Sequence, residues 1–444
     1  MITTPSSARH LAGAILGWTL LSSAARAAPL SIEDAIRSAW RDNPVLRASA
    51  AGVEAARADA DRARDTRLPV LSLSARAVRT DEPMMAFGTR LDQGRIGMSD
   101  FDPARLNSPS AIGAIGGAAS LSIPLFMGGR LAAGQRAAEA IASAEGASDT
   151  RRRAELAVGV VEAYFGAQVS EEAVRHAEDL LAHAVETERL VRARGEQGLA
   201  LDADVARATA FRAQAEAERA TALQRRASAR SALPLLCGDA ARGAELTTPV
   251  TALPPAPTAA AGSAPRPDVE ASRLRREAAE AGVTAARGSL APALLAQASA
   301  ETLRTPDLAD GRAWTTVALV LRWDLALADV RAVRAAQARA RAGAESLAWH
   351  ERSAAREAEE ARAAVDTADQ RVRSAGEAVA ASESARTLRL ARHRQGLLPL
   401  TDVLDAEAGL AGARALLLSS RLEARLARAR VALAENLPIE GLVP

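Results

Sequence analysis

Lysine is absent from this 444-residue chain, cysteine and tyrosine occur once each, and aromatic residues make up only 2% of it. Each scarcity excludes something. A single cysteine, Cys237, cannot close an intrachain disulfide, so no covalent staple holds the fold. Without lysine, every basic side chain other than histidine is arginine, which reads as a bias toward GC-rich codons. A formal net charge of +2 gives no support to a general nucleic-acid role. After residue 27 no run resembles a transmembrane helix, so residence in a membrane would require a β-barrel.

Material for catalysis is equally scarce. Beyond the leader region the titratable candidates are His176, His183, His350, His393, Cys237 and Tyr164. His176 and His183 stand two helical turns apart, about 10.5 Å, too far to share one metal ion, and are read as surface residues. The glycines between 113 and 117 lack the spacing and setting of a phosphate loop. An enzyme is not expected, and neither is a metal or cofactor.

What the chain does contain is repetition. Gln197-Gly198-Leu199 leads to Asp204-Val205 and Ala208, and 198 residues later Gln395-Gly396-Leu397 leads to Asp402-Val403 and Ala406 at identical offsets. Such an internal match means two copies of one supersecondary unit. The copies also agree upstream, where Pro44 and Pro69 stand 25 residues apart, as do Pro267 and Pro292. Proline is tolerated in a first helical turn, and the second proline of each pair marks the helix end.

After each closing proline the period drops to two. Leu71, Leu73, Ala75 and Ala77 alternate with Ser72, Ser74 and Arg76, and the alternation returns over residues 119–125. In the second half, Ala296, Ala298 and Ala300 alternate with Gln297, Ser299 and Glu301. Val317, Leu319, Leu321, Trp323 and Leu325 oppose Thr316, Arg322 and Asp324. Four strands of about 9–12 residues suit a tilted membrane strand. Four cannot close a barrel, so several copies must share one, or the strands lie outside a membrane. The first strand pair carries a loop some 23 residues longer than the second, covering roughly residues 81–117 and expected at the outer mouth.

Residues 130–194 and 330–394 lack proline and read as helices of about 98 Å. Shorter helices follow over 204–233 and 402–437, so each long helix is expected beside two short ones stacked end to end. Leu156, Val160, Leu180 and Val185 form the expected apolar stripe. The division is a signal peptide at 1–27, a first repeat at 28–246 with its tip near 195–204, a Pro/Ala/Gly/Ser linker at 247–268, and a second repeat at 269–444 with its tip near 393–402. The signal reading rests on Arg9 and His10 before an apolar run at 11–21 and on Ala25-Arg26-Ala27.

Signal, helix, strand, loop, strand, long helix, Gly-Leu tip and helix, all repeated, resembles the TolC family of outer-membrane efflux ducts. Pro124-Leu125-Phe126 with Gly128-Gly129-Arg130, and Asp402-Val403-Leu404-Asp405-Ala406, carry the likeness. The resemblance implies a mainly α fold with membrane β: a homotrimer with a twelve-stranded barrel and an α-helical tunnel across the periplasm. It implies an outer-membrane channel that serves an inner-membrane pump and a periplasmic adaptor in efflux or type I secretion.

Carried over by position, Asp402, Asp405 and Asp204 correspond to a periplasmic aperture, and Gly198, Leu199, Gly396 and Leu397 to adaptor-contacting tips. Asp402 and Asp405 share one face of a first helical turn, and six such carboxylates in a trimer would filter cations. Asp204 and Asp402 can instead serve as plain N-caps, and the tips as plain turns. Where the family's latch has Arg and Tyr, this chain has Leu398 and His393, which leaves Arg392 or Arg394 for any gate contact. A periplasmic coiled-coil adaptor or spacer without a pore is the alternative reading.

Overall fold

The computed structural model describes residues 29–257 and 265–438. The expected signal peptide and part of the expected linker lie outside them.

In chain order the elements are β1 (Pro29–Leu30), α1 (Ile32–Asp42), α2 (Pro44–Asp65), β2 (Val70–Thr80), α3 (Pro83–Asp92), α4 (Pro103–Asn107), β3 (Ile112–Met127), α5 (Arg130–Glu196), α6 (Asp202–Cys237), β4 (Glu245–Leu246), α7 (Pro267–Gly288), β5 (Ala293–Arg304), β6 (Gly311–Arg322), α8 (Leu327–Arg394) and α9 (Leu400–Ala434). Asn43 starts α2: its side-chain oxygen accepts from the Val45 amide at 2.8 Å, while Pro44 occupies the first helical position, where no N–H is needed. Pro267 does the same for α7, and both helices stop before their second proline.

The strands form one antiparallel sheet in the order β2-β3-β5-β6, so the β3–β5 pairing joins the two repeats. Register slips once, between Pro124 and Phe126, where proline has no N–H to offer the ladder. Among the described residues the outer edges of β2 and β6 have no strand partner. Apolar side chains on these strands point outward, Leu73 at 76% and Val317 at 84% exposed. β6 ends at Arg322, short of the expected Leu325, because Trp323 turns away to donate its indole N–H to the Leu290 carbonyl at 3.0 Å.

The long connection also departs from expectation. β3 starts at Ile112, so the glycines at 113–117 belong to a strand and the loop is shorter. Gly116 is needed there, since a Cβ would lie 2.8 Å from the Thr302 carbonyl oxygen. The loop is folded, with α3, a 3₁₀ turn at Met98–Phe101 and α4. Arg90 pairs with Asp100 at 2.6 Å, and the Gln93 amide bridges the carbonyls of Gly113 and Arg304. The Gly97 amide and then Arg90 hold the Asp100 carboxyl below its ordinary range. The loop thus sits on the end of the sheet opposite the long helices.

Both long helices pack as expected: α5 beside α2 and α6, and α8 beside α7 and α9. The seam of the first hairpin has a seven-residue step. Ser170, Ala177, Ala184 and Val191 on α5 are buried, as are Ala208, Ala215 and Ala222 on α6. Small side chains at such positions let two backbones approach closely. Val185 lies one residue off this seam and is exposed, so it leaves the stripe predicted for it.

The largest core lies midway down the helices, where α1, α5, α6 and α9 meet around Tyr164 and Phe165. The N-terminal segment was not legible as an element. β1 pairs in parallel with β4, and Tyr164 ties the pair to α5 by donating to the Leu30 carbonyl at 2.7 Å and accepting from the Thr248 amide at 2.9 Å. Residues 249–254 cross this core as a strap. Arg425 donates to the carbonyls of Pro249, Val250 and Ala252 with its guanidinium 4.3 Å from the Phe165 ring centre. Burial, then the neighbouring Arg428, pushes the Arg425 pKa down to about 10. Arg428 is bidentate with Asp369 at 2.9 and 3.0 Å and reaches the Pro254 carbonyl.

Two outcomes follow from this core. Tyr164→Phe keeps the ring but orphans the Thr248 amide and leaves the Leu30 carbonyl with the Thr247 amide alone, so thermal unfolding should show a loss of about 1–3 kcal/mol. An unchanged melting temperature would contradict the tie. Burial alone raises the Cys237 thiol to about 11, so maleimide should leave it unmodified at neutral pH until the protein unfolds.

Candidate aperture and tips

Both hairpins turn by the same local chemistry. Gln197 and Gln395 close the long helices, and Gly198 and Gly396 follow with φ of +75° and +79°, a conformation that costs glycine little. The Gly198 amide bonds the Gly195 carbonyl and the Leu199 amide reaches back to Arg194; Gly396 and Leu397 repeat this with His393 and Arg392. This is the Schellman closure of a helix C-terminus, made twice. Leu199 and Leu397 then project from the tips at 73% and 68% exposed.

The returning helices start earlier than expected. Their N-caps are Leu201 and Pro399, neither of which makes a side-chain capping bond. Asp204 and Asp402 are therefore not N-caps; each is the third residue of its helix. The reason lies in Leu400, which is 3% exposed and packs with Val191 and Ala208, drawing the start of α9 back to bury it. A carboxylate in a first turn still complements the helix dipole. Asp405 lies one turn further on and is exposed, while Asp204 and Asp402 are half-buried. Among the described residues none of the three carboxylates has an ion-pair partner, so their charge remains available.

The tips lie side by side, since the cluster of Val191, Ala208 and Leu400 draws on α5, α6 and α9. At the positions where the family's latch is replaced, the His393 ring donates through Nδ1 to the Leu398 carbonyl at 2.8 Å. The two residues thus brace their own turn. Among the described residues the side chains of Arg392 and Arg394 form no ion pair, although the Arg394 charge reaches Glu186, whose carboxyl is held low first by its bond to Arg189.

Above each tip a polar pair crosses its hairpin at equivalent positions. In the first, Glu188 accepts from Thr209 at 2.8 Å and pairs with Arg212 at 2.7 Å. The second sets Arg386 against Glu407 at 2.7 Å, with Glu407 buried. This brace was not legible in the sequence, because nothing in its spacing tells it from the many exposed Arg–Glu pairs nearby.

Between α5, α6 and α9 a groove of about 350 Å³ is lined by Leu180, Phe211, Leu418 and His176. His176 is half-buried rather than on the surface, and burial followed by the Arg414 charge lowers its pKa. His183 lines the same groove but is exposed. No group of side chains suited to a metal ion occurs among the described residues.

Removing Arg386 by substitution with Ala would leave Glu407 buried without its cation, at a cost of about 3–5 kcal/mol. Amide exchange in the first turns of α9 should accelerate accordingly; unchanged protection would show that the brace contributes nothing.

Comparison with known proteins accords with this geometry. Comparison with curated sequences gave no match. Among solved structures, the CmeC outer membrane channel of Campylobacter jejuni superposes with a TM-score of 0.78 at 16% identity, covering 93% of this chain and 86% of that one. The outer membrane protein VceC of Vibrio cholerae gives 0.75 at 20% identity, with 92% and 96% covered. The MtrE outer membrane channel of Neisseria gonorrhoeae, in its open state, gives 0.72 at 22% identity, with 91% and 89% covered. The sequence pattern of one family spans residues 35–239 and 263–437, nearly all of both repeats: the chain belongs to the outer membrane efflux protein family.

Proposed function

We propose that this protein is the outer-membrane duct of a tripartite export system. Three copies would share one twelve-stranded barrel, and their helices would line a tunnel through the periplasm. An inner-membrane pump supplies the solute, and a periplasmic adaptor meets the tips at Gly198, Leu199, Gly396 and Leu397. Cargo selection rests with the pump, so the duct needs only a passage of suitable width and charge.

One observation carries this reading: a four-stranded sheet, apolar on its outer face and unpaired at both edges, stands at the head of helices of about 100 Å. Lipid tolerates neither an open edge nor an unpaired backbone, so the sheet must be completed by other copies. A soluble spacer would gain nothing from exposing Leu73, Val317 and Leu319 together, and family membership also speaks against that alternative.

At the tunnel entrance Asp402, Asp405 and Asp204 would form rings of carboxylates with no internal partner. Replacing both Asp402 and Asp405 with Asn keeps size and removes charge. Pores of the double variant in planar bilayers should lose cation preference, seen as a reversal potential in a salt gradient that moves toward zero. A reversal potential equal to that of the native pore would rule out the carboxylate ring while leaving the duct itself intact.

A further inference from the structure

The two hairpins meet inside the chain where α5 lies against α7 and α9. Arg151 is the hub of that join: its guanidinium donates to the Leu433 carbonyl on α9 at 2.9 Å, and its charge reaches Asp268 on α7. The duplication gives every residue here a counterpart. Positions on α5 and α6 map onto α8 and α9 by adding 198, as Gly198 maps onto Gly396. Positions on α2 map onto α7 by adding 223, as Pro44 maps onto Pro267.

Arg151 therefore corresponds to Trp349, Leu433 to Leu235, and Asp268 to Val45. All three counterparts are apolar and lie open, Trp349 at 69%, Leu235 at 76% and Val45 at 63% exposed. They sit on opposite flanks of the chain: Trp349 on α8, and Val45 and Leu235 on α2 and α6, whose ends are joined by the bond from the Asn43 side chain to the Leu236 carbonyl. Two exposed flanks that are halves of a join already made once within the chain fit each other in a second copy, head to tail. Repetition of such a contact by a rotation that closes produces a ring.

We propose that Trp349 seats between Val45 and Leu235 of the partner subunit, an apolar anchor that closes the seam between chains where Arg151 holds the seam within one. The inference rests on the shared-barrel reading above and adds the residues that hold the ring. A buried tryptophan at the centre of a contact typically dominates its energetics. The chemistry at other levels of the same seam is also assigned. Near the tips, Val191 and Leu400 correspond to Arg389 and Asp202, opposite charges that would face each other between chains. Further up, the Arg414–Asp179 contact at 3.8 Å corresponds to Glu216 and Glu377, two acids. Glu216 already pairs with Arg212 on its own helix, so the seam is anchored at Trp349 and held by charge at the tip.

The test uses the full-length protein in detergent, with Cys237→Ala as background because that cysteine is two residues from Leu235. Trp349→Cys together with Leu235→Cys, treated with a bis-maleimide, should yield covalent dimers and trimers on denaturing gels, and neither single cysteine should. Leu235→Arg should lower the temperature at which the trimer dissociates, and Trp349→Glu added to it should restore part of that loss. Both residues are exposed in the single chain, so folding of the protomer is spared. A native trimer that neither cross-links nor weakens with Leu235→Arg overturns the seam and leaves the duct standing. A native monomer overturns the shared barrel itself.

Discussion

Hydrogen bonding at the sheet edges governs this structure. A β-strand in lipid must find a partner on both sides, because an amide or carbonyl left unpaired in hydrocarbon costs several kcal/mol. The large sheet has four strands and, among the described residues, leaves β2 and β6 open at their outer edges. Everything below the sheet follows from fixing those strands at the right spacing. The helices enter and leave at one end only, the folded loop covers the other, and the duplication presents two similar strand pairs side by side.

Duplication also explains why the same join can be built twice with different side chains. Inside the chain, covalent linkage holds the repeats close, so a charged hub such as Arg151 can be satisfied by carbonyls and acids arranged around it. Between chains no linker helps, and the proposed seam draws on apolar burial at Trp349 with opposite charges near the tips. The strap of residues 249–254 belongs to the covalent side of this contrast. Its carbonyls accept the hydrogen bonds of Arg425, a buried cation with no carboxylate partner among the described residues, and so bind the connection between repeats to the central core.

Much of the architecture was legible because it rests on local rules. Proline pairs 25 residues apart delimited α2 and α7, the change of period located the strands but neither the start of β3 nor the end of β6, and the glycine at each tip required a left-handed turn. What stayed hidden depends on contacts distant in sequence. Segment 29–42 forms α1 and one side of a two-stranded sheet only because Tyr164 and Thr248 wait for it across the fold. The start of α9 moved because Leu400 is buried by a different hairpin, so Asp402 lost the capping role that local pattern assigned it. Likewise, Val185 shares the composition of the seam but not its seven-residue step.

The central claim is that lipid forces several copies of this chain into one barrel. The detergent-corrected molar mass of protein extracted from the outer-membrane fraction tests it most directly. Three copies of the mature chain in that fraction is the result the account predicts. A monomer or dimer recovered without detergent, and missing from the outer membrane, would contradict it.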